Sequence, residues 1–241
     1  MKYQRIFTFG CSLTDYHWPT WADVLSIQSK LPVYNAGRSG LGNVGISYRL
    51  VEYDQRFKFN EQDLIFILWT SWTREDRFIN GNWAAYGNIF NNHLYDDKFI
   101  KKYWSWENDI IKNSSSIILV NKGYKITENY YYQLLENSIE SDSALLDFYQ
   151  KSFPHGPTFV EDHNFFNKKC KDGHPDILNH VNFYNTHLTK YGFPIVEQNS
   201  IFHTWQNDIE NKLNNNQTDQ EQKKIFKNYF LPHKHMFSIK N

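Results

Sequence analysis

The run Asp63-Leu64-Ile65-Phe66-Ile67-Leu68-Trp69 is apolar at every position after the first, so it offers no polar face to solvent. Such a strand is stable only with both faces covered, which calls for helices on either side of a parallel sheet. The upstream segments fit that demand. Arg5-Ile6-Phe7-Thr8-Phe9 reads as a short strand halted at Gly10. Trp21, Val24, Leu25 and Ile27 are spaced for an amphipathic helix between Trp18 and about Ser29. Pro32-Val33-Tyr34-Asn35 reads as a second strand, and Val44, Ile46, Leu50 and Val51 mark a helix from Asn43 to about Tyr53. Strand, helix, strand, helix, strand predicts parallel βαβ units and hence a doubly wound α/β domain. A chain of 241 residues accommodates one such domain, spanning 1–241.

After about Arg77 the periodicity fades. Residues 78–165 read as an insertion, aromatic-rich and largely helical, with Tyr130 to Tyr149 as its best helix and Ser116 to Val120 as either a strand or a buried helical turn. His174-Pro175 is expected to open a helix reaching about Tyr191, with Pro at its first position. Pro194-Ile195-Val196-Glu197 reads as a late strand. From about 200 to 241 a polar extension is expected, Asn/Gln-rich between Asn211 and Gln222 and ending in a helix near Ile225 to Phe230.

Composition narrows the function. Lys+Arg and Asp+Glu balance at 26 each, so the chain lacks the basic field of a nucleic-acid binder, while near-neutrality permits homo-oligomers. The two cysteines, Cys11 and Cys170, form neither a metal-ligand spacing nor a disulfide framework, which makes a reducing cytoplasm the default location. The apolar run Ile6 to Leu13 is short and lacks a small-x-small cleavage site, so it reads as a buried strand rather than a signal peptide. No stretch approaches the ~20 apolar residues of a membrane helix. Aromatic residues reach 18%, and Trp69, Trp72, Trp83, Trp104 and Trp106 supply flat surfaces that suit either a core or a sugar-stacking platform.

A nucleophilic serine needs a tight turn after a strand that exposes its hydroxyl. Phe9-Gly10-Cys11-Ser12-Leu13-Thr14 has that form, though such a serine more often serves as a turn or cap residue. Three blocks in order raise its standing. Gly10-Cys11-Ser12-Leu13-Thr14, then Asn35-Ala36-Gly37-Arg38-Ser39-Gly40, then Asp172-Gly173-His174-Pro175 resemble the first, second and last blocks of the SGNH/GDSL hydrolase superfamily. Trp18-Pro19 with Trp21 is similar to that family's segment after the nucleophile.

The resemblance implies a three-layer α/β/α, flavodoxin-like fold with a central parallel sheet. It also implies a serine esterase with Ser12 as nucleophile, His174 as general base and Asp172 orienting the imidazole. Backbone N–H groups of Ser12 and Gly40 would bind the oxyanion, since only glycine lets the backbone come so close there. The family's third block carries an Asn donor. The matching stretch here, Leu68-Trp69-Thr70-Ser71-Trp72-Thr73-Arg74, has none, and Thr70 or Ser71 is the expected substitute. Losing one such donor costs roughly 10²–10³ in rate.

Arg38 and Arg74, with Asn43 and Trp72, are candidate substrate contacts at the catalytic end of the sheet, although surface salt bridging or loop anchoring is the commoner role for arginines so placed, Arg77 included. Asp162-His163 is a rival Asp/His pair without the following Pro, His155 reads as a loop residue, and His233-Lys234-His235 lacks partners for a metal. Neither a metal nor an organic cofactor is required. The sequence therefore predicts hydrolysis of a short acyl, acetyl above all, from a carbohydrate or small molecule. The alternatives are an O-acyltransferase acting on a polysaccharide with the same triad, and a carbohydrate-binding protein with a crippled site.

Overall fold

The computed structural model describes residues 3–70, 73–80, 82–89, 95–100, 125–130, 174–198 and 200–213, with isolated positions between 102 and 115. Four parallel strands, β1 (Arg5–Phe9), β2 (Val33–Asn35), β3 (Asp63–Trp69) and β6 (Lys125–Tyr130), form a sheet in the order β2-β1-β3-β6. The chain runs from β1 to β2 on one side, then crosses β1 to build β3 on the other. In doubly wound folds the strand ends on either side of such a reversal open a crevice, and loops there carry function.

Side-chain alternation along the strands sets the layers. Phe7 and Phe9 pair with Ile65 and Ile67, placing all four on one face. On that face Tyr53 of helix α2 (Asn43–Phe57) lies edge-on to Phe7 and Phe9 at 6.4 and 5.4 Å. Phe66, paired with Thr8, faces the other way and meets Trp21 of helix α1 (Trp21–Ser29) at 6.2 Å. Trp21 also contacts Phe183 of helix α3 (Ile177–His187), so α1 and α3 share that second layer. The three-layer α/β/α arrangement follows directly from which residues alternate. Every residue of β3 is buried, as its unbroken apolar run requires, and each such Leu, Ile or Phe contributes about 1.5–3 kcal/mol. At the opposite end of the sheet from the loops, Arg5 clamps Asp63 through two hydrogen bonds of 2.7 Å and fixes the β1–β3 register.

Several expectations are corrected. The start of the insertion is not helical: β4 (Arg74–Ile79) and β5 (Asn82–Asn88) form an antiparallel hairpin with an irregularity between Glu75 and Asp76. Tyr130, expected to start a helix, ends β6; residues 131–149 and Ser116 to Val120 lie outside the described residues. Pro175 is not the first helical residue. Asp176 is the N-cap of α3, its carboxylate accepting from Asn179 N at 2.8 Å, because a side-chain acceptor satisfies an amide that proline cannot. Pro194 to Glu197 is not a strand: the Asn185 amide takes both the N–H and the C=O of Val196, doing locally what a neighbouring strand would do. Residues 201–213, expected to begin a polar extension, form helix α4 with Phe202 and Trp205 buried and Gln206 accepting from Ile177 N at 3.0 Å. The expected helix near Ile225 to Phe230 lies outside the described residues. Among the described residues no helix is long and apolar enough to cross a membrane.

The hairpin is fastened to α2 by one carboxylate. Asp76 Oδ1 and Oδ2 accept from Gly42 N and Gly45 N, each at 2.8 Å, capping the helix from outside its own segment. Burial pushes the Asp76 carboxyl above its usual range, although the two amides and the nearby Arg38 and Arg74 pull it down. The approach requires glycine, since a Cβ at residue 42 would stand 2.6 Å from Asp76 Oδ2 and 3.0 Å from the Arg74 carbonyl. Gly42→Ala is therefore expected to destabilise the fold by about 1–3 kcal/mol in urea unfolding. A variant as stable as wild type would show that the carboxylate does not hold the hairpin this closely.

Candidate active site

The loop after β1 is a compact turn. Thr14 N and Asp15 N both donate to Cys11 O, at 2.9 and 3.1 Å, which rolls residues 11–15 around Ser12. Gly10 is needed for this: a Cβ there would collide with the Thr14 hydroxyl and stand 3.0 Å from the Leu68 carbonyl. Helix α1 begins later, at Trp21, with Asp23 reaching back to accept from Thr20 N at 3.0 Å.

Asn35, at the end of β2, locks this turn to the next loop. Its Oδ1 accepts from Thr8 Oγ1 at 3.1 Å and from Gly37 N at 2.9 Å, while its Nδ2 donates to Thr14 O at 2.9 Å. Thr20 Oγ1 donates to the same carbonyl at 2.8 Å, and Arg38 N reaches Gly10 O at 3.1 Å. Gly40, with φ +81, lies on the loop so fixed, facing Ala85 of the hairpin.

Ser12 and His174, 162 residues apart, meet here: His174 Nε2 is 3.0 Å from Ser12 Oγ. That distance suits a hydroxyl donating to an unprotonated imidazole nitrogen. His174 is gripped by the loop that carries Ser12. Tyr16 stacks on the imidazole with centroids 4.0 Å apart and planes 21° apart, and His17 stacks on Tyr16's other face at 4.3 Å. Trp18 Nε1 donates to the Pro175 carbonyl at 2.9 Å, pinning the segment that carries His174. Behind it, fully buried His180 has its imidazole pushed down to about 3 by desolvation, with the His174 charge a lesser cause.

The other expected site residues divide. Thr70 is buried at the end of β3, and its N–H and C=O are held by Asn43 Oδ1 and Nδ2 at 2.9 and 3.0 Å. Asn43 thereby ties α2 to β3, and its fully buried amide is engaged at both ends rather than presented to a ligand. Arg38 is exposed and Arg74 half-buried, on the loop and hairpin flanking Gly40. Trp69 is wholly within the core. Asp172, Ser71, Trp72, Cys170, Trp104, Trp106, Asp162, His163, His155, His233 and His235 lie outside the described residues, as does the side chain of Trp83.

Sequence reasoning missed Tyr16, Asp76 and His180. Only Asp76 had a readable companion signal: Gly42 and Gly45 stand where a helix first turn would expose amides, and Asn80-Gly81 is a strong hairpin marker. No family model and no curated protein matches this chain. Among solved structures, a member of the lipolytic protein G-D-S-L family from Veillonella parvula DSM 2008 is similar at 12% identity and a TM-score of 0.44, over 78% of this chain and 98% of that one. A likeness so distant carries no argument about activity.

Buried neutral His180 has a measurable consequence. Its folded pKa lies below the unfolded value near 6.5, so protons bind the unfolded chain first and stability falls as pH drops from about 6.5 towards 3. His180→Leu is expected to flatten this loss between about pH 7 and pH 5 in thermal unfolding. An unchanged pH slope would show that His180 takes up its proton in the folded state.

Proposed function

We propose that the chain is a serine ester hydrolase that removes a short acyl group, acetyl in the first instance, from a carbohydrate or small molecule. The observation that carries this reading is the 3.0 Å approach of His174 Nε2 to Ser12 Oγ. Two polar residues far apart in sequence are brought to hydrogen-bond distance beside the strand-order reversal, where doubly wound folds bind their ligands.

In the proposed reaction His174 takes the Ser12 proton as Oγ attacks the ester carbonyl. The resulting oxyanion lies against backbone N–H groups of Ser12 and Gly40. The Thr70 N–H already donates to Asn43, so that residue has only its hydroxyl to offer, alongside Ser71. Protonated His174 then gives its proton to the leaving alcohol, and water repeats the sequence to free Ser12. Asp172, two residues before His174, is assigned to the imidazole's other nitrogen, fixing its tautomer. Arg38 and Arg74, with Trp72, are assigned to the substrate's alcohol portion.

Hydrolysis of 4-nitrophenyl acetate tests this reading. Ser12→Ala and His174→Ala are each expected to lower kcat by at least about 10³-fold with folding retained. Wild-type turnover no faster than that of Ser12→Ala would remove Ser12 as nucleophile and favour a binding protein.

A further inference from the structure

We infer that Tyr16 is a positioning residue for the proposed base: its ring sets the plane of the His174 imidazole toward Ser12 and stabilises the imidazolium that forms when the proton moves. This rests on the hydrolase reading and adds a residue to it.

The geometry is specific. A near-parallel ring at 4.0 Å covers one face of the imidazole, and Nε2 in the imidazole plane is left pointing at Ser12 Oγ. Tyr16 cannot swing away freely, because His17 backs its other face at 4.3 Å and Trp18 meets it edge-on at 4.6 Å. Its backbone is fixed by the turn before it and by the Thr14 carbonyl, which accepts from both Thr20 Oγ1 and Asn35 Nδ2. One short segment, residues 12–18, thus carries the nucleophile, the ring on the base and the indole that holds the next residue of the base's strand of chain.

A tyrosine face carries negative quadrupole potential, so it attracts a cation stacked upon it. Neutral imidazole gains little from this; imidazolium gains more. The effect on His174 is an upward shift in proton affinity. The polar and titratable groups around it among the described residues include Ser12 and Tyr16, the Trp18 indole edge-on at 6.4 Å, His17 behind Tyr16, and His180 from α3, with Asp176 capping α3 two residues on. Asp172 precedes it in sequence. His180 stays neutral throughout the relevant range, so a midpoint near neutrality is not its own.

The test is the rate at which a small fluorophosphonate labels Ser12, followed by intact mass across pH. The rate rises as His174 loses its proton, and the midpoint reports that group. Tyr16→Phe keeps the ring and is expected to retain the wild-type rate and midpoint. Tyr16→Leu is expected to lower the midpoint by roughly 0.4 to 1.5 pH units, the span of an exposed to desolvated cation–π contact. It is also expected to slow labelling at the plateau about tenfold, through loss of alignment. Replacing Tyr16 by pentafluorophenylalanine keeps shape while reversing the quadrupole, and is expected to lower the midpoint even if the Leu variant does not fold. A wild-type midpoint in the pentafluoro variant, or a Phe variant whose midpoint falls as far as the Leu variant's, overturns the role of Tyr16. Wild type that is not labelled at Ser12 overturns the hydrolase reading itself, a separate and distinguishable failure.

Discussion

Asn35 is the side chain on which the site's geometry depends. With one buried amide it joins β1 through Thr8, the second loop through Gly37 and the Ser12 turn through Thr14. A buried amide with its partners removed leaves several groups unsatisfied at about 1–3 kcal/mol each, so this junction is firm. From it the chain extends in a fixed direction. The turn presents Ser12, the next residues present Tyr16 and Trp18, and these reach across to His174 and Pro175. Precise alignment of two residues far apart in sequence is thereby reduced to the rigidity of one short loop.

Much of this arrangement was legible in the sequence where local chemistry and tertiary demand agree. The unbroken run in β3 dictated burial on both faces. The alternation of strands and helices up to Trp69 dictated the parallel sheet, and the blocks around Ser12, Asn35 and His174 named residues that the fold brings to one end of it. Legibility failed where a structural role is supplied from a distance. The hairpin at 74–88 has no clean alternation because Phe78 and Tyr86 are exposed while Glu75 and Asp76 are buried, the reverse of the usual pattern. Asp76 is buried because it caps a helix in another segment, and no local rule signals that. Tyr16 and His180 likewise have meaning only through His174, which arrives from the far end of the chain.

The two halves of the site differ in how they are made. Ser12 and His174 are held by side-chain contacts that a single substitution can undo. The surface proposed to meet developing negative charge is chiefly backbone, at Ser12 and Gly40, and depends on loop shape. Asn43 sharpens the contrast. It stands beside the site and carries an amide of the kind an oxyanion hole uses, yet both its polar atoms are spent on Thr70, stabilising the end of β3. The hairpin, anchored by Asp76 and approaching Gly40 through Ala85, gives that backbone its outer wall.

The most direct test of the central claim is a crystal structure of the fluorophosphonate adduct. Phosphorus is expected to be bonded to Ser12 Oγ, with a phosphoryl oxygen within hydrogen-bond distance of the Ser12 and Gly40 N–H groups and His174 still stacked on Tyr16. Phosphorus on a different residue, or a phosphoryl oxygen turned to solvent away from Gly40, would contradict it.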